Sequence, residues 1–254
     1  MTISTLSKDD ILFLARLSDK AARYDRMKDL MKQFIIEGYE LTPTERQLFS
    51  LAFRDVISTK RSSWRALFAI KGDAIHDEGR ETAVAEHLSD LSHDIETISK
   101  DVLGLISNHI LPLCTNPESK VFFLKLQADY ERYIAEVSTS AAHSRWASKS
   151  FESYKSAADL ALCCLPPTHP TRLGLMLNFS IYYYEIDNSP ERACVLARAT
   201  YDDALEGGLL GKRLRGEEYD ASLETLRCIN SNLKRWTSQL SGSVDDRKPM
   251  KKGA

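Results

Sequence analysis

Lys60-Arg61-Ser62-Ser63-Trp64-Arg65 is the stretch from which the fold is read outward. Arg61 and Arg65 stand four residues apart and share one face of a helix. Arg54, seven residues upstream, falls two turns back on that face. Ile57, Ser58 and Ser62 occupy the positions three or four residues away, so no carboxylate there neutralises these cations along the helix. Such a stripe has two readings. It is a solvated basic face, or it is one wall of a site for an anion that is not part of this helix.

On either side of the stripe the chain reads as helix after helix. Thr42-Pro43-Thr44-Glu45 is a start signal: Thr42 caps, Pro43 suits the first helical position, and Glu45 reaches back to the cap amide. Ser7 and Asp10 form a similar box before a helix whose face is Ile11, Leu14, Ala15, Leu17, Ala21 and Ala22. A second helix runs from Arg23-Tyr24-Asp25 through Met27, Leu30, Met31 and Phe34 to a stop at Gly38. After Gly79, Val84, Leu88, Leu91, Ile95, Ile98, Val102 and Leu105 recur at alternating steps of four and three, a narrow packing seam that Pro112 stops. Asn116-Pro117 opens the next helix, which carries a second stripe: Lys125, Asp129, Arg132 and Glu136. Residues 139–148 are small and polar and read as a loop, followed by a helix over 149–165 that Pro166-Pro167 ends. His169-Pro170 and Ser189-Pro190 start two more, the latter ending near Gly207-Gly208. A last helix ends at Trp236, leaving a helical domain over 1–240 and a disordered tail over 241–254. The sum is roughly nine helices and no convincing strand.

The totals exclude several function classes. Basic and acidic residues nearly balance, 34 against 36, whereas a dedicated nucleic-acid binder is usually basic overall. No apolar run is long enough to span a bilayer, and no signal peptide is evident. Cys114, Cys163, Cys164, Cys194 and Cys228 form no C-x-x-C pair and are expected as free thiols in the cytoplasm. The histidines show no metal-ligand or catalytic spacing, and no nucleophile–base constellation suggests an enzyme. No cofactor is expected.

Nine segments, in order, give the chain a resemblance. They are Ala22-Arg-Tyr-Asp25, Arg61-Ser-Ser-Trp-Arg65, Glu118-Ser-Lys-Val-Phe122, Asp129-Tyr-Glu-Arg-Tyr133, Pro167-Thr-His-Pro170, Arg172-Leu-Gly-Leu-Met-Leu-Asn-Phe-Ser180, Tyr183-Tyr-Glu-Ile186, Asn188-Ser-Pro-Glu191 and Trp236-Thr-Ser238. From Leu6 to about Gln239 the chain resembles the 14-3-3 family. That resemblance implies an all-α fold of nine antiparallel helices per protomer and a cup-shaped dimer formed through the first four. It implies an adaptor, not an enzyme, that binds phosphoserine or phosphothreonine in client proteins. A helical scaffold that binds partners without phosphate is the alternative.

The resemblance also implies a site. Arg54, where the family usually has lysine, Arg61, Arg132 and the Tyr133 hydroxyl would hold the phosphate. Arg65 and Glu185 would support it, and Asp129 would fix an arginine. Asn178 and Asn232 would hold the client's main chain, with Lys125, Leu177, Ile181 and Trp236 lining the groove. Cys228 and Arg235 fall where the family usually has groove leucines, and an insertion of about four residues lies in Gly207–Gly216. Altered preference for the residues flanking the phosphate is therefore expected.

At the dimer face the resemblance places Arg23, Arg26 and Asp90. The family commonly has an aspartate at the position of Arg26 and a lysine at that of Asp90. With both signs reversed, the bridge survives in a homodimer, while a pairing with an ordinary relative sets like charges together. Ser63 reads as a target of a basophilic kinase or as a partly buried interface serine; a phosphate there would oppose dimerisation. Lys248-Pro-Met-Lys-Lys252 is a solvated basic tail or a nuclear-import signal.

Overall fold

The computed structural model describes residues 6–72, 78–209 and 216–245. The described residues form nine α-helices and no strand: α1 (Lys8–Lys20), α2 (Tyr24–Ile36), α3 (Pro43–Gly72), α4 (Glu78–Leu105), α5 (Pro117–Val137), α6 (Ser140–Cys164), α7 (Pro170–Glu185), α8 (Pro190–Glu206) and α9 (Glu217–Asp245). They divide into two compact units, residues 1–150 and 151–254.

Local chemistry sets the starts. Ser7 and Asp10 exchange cap bonds at α1. At α3, the Thr42 amide donates to Glu45 Oε2 at 2.8 Å and the Glu45 amide to Thr42 Oγ1 at 3.4 Å. Asn116 Oδ1 accepts from the Glu118 and Ser119 amides at α5, and His169 Nδ1 from the Thr171 amide at α7. Ser189 holds the capping position of α8, but its hydroxyl donates to the Asp187 carbonyl and no side chain caps that helix. Gly38 ends the α2 segment at φ +81°, a backbone only glycine adopts without strain.

In the first unit α1 packs on α2, α2 on α3, α3 on α4 and α4 on α5. Met27, Met31, Phe34, Phe49, Phe53, Ile95, Val102, Phe123 and Tyr130 form its core. The seam of α4 faces this core at Ile95, Val102 and Leu105. The inward face of α1 is Ile11, Leu12 and Ala15; Leu17, expected on it, is 53% exposed, and Ala22 sits at φ 51° beyond the helix end. Pro112 does not simply stop α4. The helix leaves α geometry at Leu105, widens into a π turn over Ile106–Ile110 and tightens into a 3-10 turn over Leu111–Leu113. Proline has no amide hydrogen to give and its ring crowds the carbonyl four residues earlier, so the turns before it must change pitch.

Two expectations are corrected. Residues 140–148 are not loop but the start of α6. The chain turns sharply at Ser140, φ 51°, and Ala141, Ala142, Arg145 and Ala147 then favour helix. Ser144 and Ser148 lose their competing loop bonds by donating to carbonyls four residues back. The last helix does not end at Trp236 but continues to Asp245.

In the second unit α7, α8 and α9 pack on one another. Leu173, Ala193, Ala197, Ala204, Leu226, Ile229, Leu233 and Trp236 make its core. Gly207 lies so close to Pro167 and Thr168 that a β-carbon there would meet both at 3.0 Å. Positions 210–215 of the expected insertion and the Lys248–Lys252 stretch lie outside the described residues.

Candidate functional site

The arginines of α3 meet the second stripe, on α5. Arg61 Nε donates to Glu136 Oε2 at 2.7 Å, and Arg65 Nε donates to Glu136 Oε1. The Arg61 guanidinium carbon lies 3.8 Å from the centre of the Tyr133 ring, and that of Arg132 lies 4.8 Å from it. Arg132 is buried and faces Asp129 Oδ1 at 3.6 Å, while Lys125 Nζ donates to Asp129 Oδ2 at 2.8 Å. Arg61, Arg65, Arg132, Tyr133, Lys125 and Asp129 are thus brought into one cluster, joined by Glu136, which the sequence offered only as a stripe member. Steps of four, three and four had placed Glu136 on the right face; its role was hidden because its partners lie 75 and 71 residues away.

Arg54 is arranged differently. It is largely exposed, and its Nε donates to Asp55 Oδ1 at 3.1 Å. The stripe is therefore not an unpaired set of cations. Each of its arginines has a carboxylate, at the adjacent position or across the helix interface.

Burial and charge oppose one another here. Burial pushes the Glu136 carboxyl up, but the Arg61 and Arg65 charges and hydrogen bonds outweigh it and hold the group below the usual carboxylate range. Tyr130, packed edge-on to Tyr133, is raised well above an ordinary tyrosine by burial, then by Tyr133 and Asp129. Its hydroxyl stays protonated.

On α7 and α9, Leu177 and Ile181 are half-buried and pack on the core of the second unit. Asn178 and Asn232 are half-buried, and Glu185 is exposed. Trp236 corrects an expectation: it does not present its ring to a groove but is wholly buried, stacked on Tyr184 at 4.8 Å. Its Nε1–H has no hydrogen-bond partner among the described residues. The buried seam Ser222, Leu226, Ile229, Leu233 and Trp236 fixes the register of α9. Cys228 and Arg235 consequently lie on its exposed side.

At the expected dimer face, Arg23 and Arg26 border an open cleft of about 520 Å³ with Asp55 and Lys60. Asp90 borders another of about 530 Å³ with Ser63, Leu67, Leu91 and Asp94. Within the described residues Arg26 and Asp90 form no ion pair with each other. In the single chain Ser63 is exposed, its hydroxyl donating to the Thr59 carbonyl at 3.1 Å. Phe13 and Leu17, one turn apart on α1, are 65% and 53% exposed. No described helix is long and apolar enough to cross a membrane, and no described group of His, Cys, Asp and Glu is placed to hold a metal.

Comparison with known proteins agrees with the fold. The family model for 14-3-3 protein matches residues 14–237. The chain is 40% identical over 240 residues to Protein BMH1 of Saccharomyces cerevisiae, covering 93% of this chain and 89% of that protein. It is 40% identical to the 14-3-3-like protein GF14-E of Oryza sativa, over 93% and 90%. It is 38% identical to 14-3-3 protein zeta of Bombyx mori, over 95% and 97%. A match over nearly the whole chain, at these identities, means that it belongs to the 14-3-3 family of non-enzymatic, phosphopeptide-binding adaptors.

Proposed function

We propose that this chain is a dimeric adaptor that binds phosphoserine and phosphothreonine segments of client proteins and regulates them by masking, clamping or scaffolding. The observation that carries the reading is the pair of guanidiniums, Arg61 and Arg132, held against the Tyr133 ring. A phosphomonoester brings about −1.5 to −2 charge and three acceptor oxygens. Arginine's planar fork matches two such oxygens and stays charged at any working pH. At roughly 1.5–3 kcal/mol per charge-assisted bond, several of them separate a phosphorylated segment from its unmodified form. Arg54 adds charge at the outer edge, and Lys125 and Asp129 keep Arg132 in place. Asn178 and Asn232 are assigned to the client's main chain, Leu177 and Ile181 to its apolar side chains, with Glu185 in support. Trp236 then backs this surface from within.

For the dimer, the exposed Phe13 and Leu17 supply an apolar face, and the oppositely charged Arg26 and Asp90 supply a pair that two copies satisfy reciprocally. A preference for self-pairing follows, worth about 0–1 kcal/mol for an exposed pair. Arg26→Asp should weaken the homodimer in analytical ultracentrifugation and improve pairing with an ordinary family member. Two sites per dimer give a doubly phosphorylated client avidity through effective concentration. Cytoplasmic residence suits the five free thiols.

Fluorescence anisotropy with one peptide in phosphorylated and unmodified forms tests the reading. Only the phosphorylated form should bind, and Arg61→Ala should abolish most of that binding. Equal affinity for both forms would favour a phosphate-independent helical scaffold instead.

A further inference from the structure

Glu136 touches two arginines of the cluster, and it does so from a particular side. It accepts from Nε of Arg61 at 2.7 Å and from Nε of Arg65, with its own side chain 11% exposed. The face of Arg61 rests on the Tyr133 ring. One edge and one face of this guanidinium are therefore fixed, and the Nη1–Nη2 edge makes no hydrogen bond among the described residues. An arginine gripped by Nε and by its face has lost most of its rotamer freedom before a ligand arrives, so less entropy is lost on binding.

Charge gives a second, independent observation. Arg54, Arg61, Arg65, Arg132 and Lys125 bring five positive charges, and Asp55, Asp129 and Glu136 bring three negative ones. With Glu136 in place the cluster stays positive by two, which attracts a phosphate dianion more strongly than the single charge of a carboxylate. Asp129 and Asp55 are each held by a neighbour on their own helix, whereas Glu136 ties α5 to the stripe of α3.

Resting on the phosphopeptide reading above, we infer that Glu136 is the positioning residue of the phosphate site. It holds Arg61 and Arg65 by their Nε edges and leaves the outer edge of Arg61 turned to the ligand. It is a tether that stays in place when phosphate binds, not a stand-in for the phosphate that leaves.

The test uses the full chain and one peptide carrying, at a single position, phosphoserine, glutamate or serine. Glu136→Gln should weaken the phosphoserine complex roughly tenfold, the scale on which loss of an outer partner of a ligating group is felt. The glutamate peptide should lose less, because a single carboxylate draws less on the fixed fork of the guanidinium than three phosphate oxygens do. Discrimination between the two should thus fall several-fold. Glu136→Asp, which retains a carboxylate, should recover most of it, and serves also where the glutamine variant fails to fold. A looser fold alone would weaken both peptides alike and leave their ratio unchanged; that outcome overturns the assignment. So does a Glu136→Gln protein that binds phosphoserine as tightly as the wild type or tighter. A wild-type protein blind to phosphorylation overturns the underlying reading itself.

Discussion

Arg61 and Trp236 are held by helices of different units and by opposite means. Around Arg61 and Arg132 the protein keeps charged groups out of water, each with a carboxylate or an aromatic face beside it. Around Trp236 it buries the largest apolar side chain it has, stacked on Tyr184 and surrounded by Leu173, Ile229 and Leu233, and leaves one polar atom of it unbonded. Charges in a buried cluster add little net stability, because desolvation offsets their attraction. Their value is in the geometry they hold. An indole in a core does the reverse: it stabilises the fold strongly and holds geometry through shape alone. The two regions should therefore fail in different ways.

The largest contrast comes from truncating each centre. Trp236→Ala should cost about 3–5 kcal/mol of stability, the usual range for deleting a buried aromatic. Trp236→Phe should cost far less, since it also removes the unbonded Nε1–H. Arg61→Ala should leave the unfolding free energy within about 1 kcal/mol of the wild type's, because Glu136 keeps Arg65 as partner. It should nevertheless lower phosphopeptide affinity by roughly a hundredfold, the loss of one or two charge-assisted bonds. Urea denaturation and anisotropy on the same samples check both halves. If Arg61→Ala unfolds the protein as readily as Trp236→Ala, the contrast between a positioning cluster and a stabilising core is wrong.

The same contrast explains what the sequence disclosed. Elements defined by neighbours in the chain were legible: the Thr42–Glu45 box, the cap at His169, and the alternating seam from Val84 to Leu105 all have their causes within a few residues. The register of α9 was also latent in its buried steps Leu226, Ile229, Leu233 and Trp236. Pairings between helices were not legible. Nothing near Arg61 announces Glu136, and nothing near Arg54 distinguishes its bond to Asp55 from an ordinary solvated arginine. Residues 140–148 misled for a further reason: their serines, a loop signal when read singly, turn inward along the helix and bond to its own carbonyls. Trp236 was placed in a groove by resemblance, yet its burial follows from its position on the seam.

A second comparison is made by acid. Glu136 has its pKa depressed in the folded protein, the net result of burial raising it and Arg61 and Arg65 lowering it more. Its contribution is therefore fully present above the unfolded glutamate value of about 4.3 and is lost as pH falls through the lower folded value. Glu136→Gln should remove that dependence. Its unfolding free energy should change less with pH below about 4.5 than the wild type's, while the two proteins run parallel between pH 6 and 8. The Trp236 region carries no such group, so Trp236→Phe should keep the wild-type acid limb. A glutamine variant with an unaltered acid limb would place the ion pair's contribution elsewhere.

The smallest effect belongs to the exposed side of α9, where Cys228 and Arg235 replace the apolar residues that the family resemblance leads one to expect. Because the inward seam fixes the register, both side chains can be exchanged for leucine without touching the core. Cys228→Leu and Arg235→Leu together should therefore leave stability within about 0.5 kcal/mol. Phosphate recognition should also hold, since none of its ligands is altered. The change should appear in the residues flanking the phosphoserine. Binding of apolar flanks should improve two- to fivefold, from about 25 cal/mol for each Å² of apolar surface newly covered, and acidic flanks should lose the attraction of Arg235. A phosphopeptide library screened against both proteins reads this directly. Identical profiles would mean that the outer side of α9 does not meet the client, and that selectivity is set by α7 through Leu177 and Ile181.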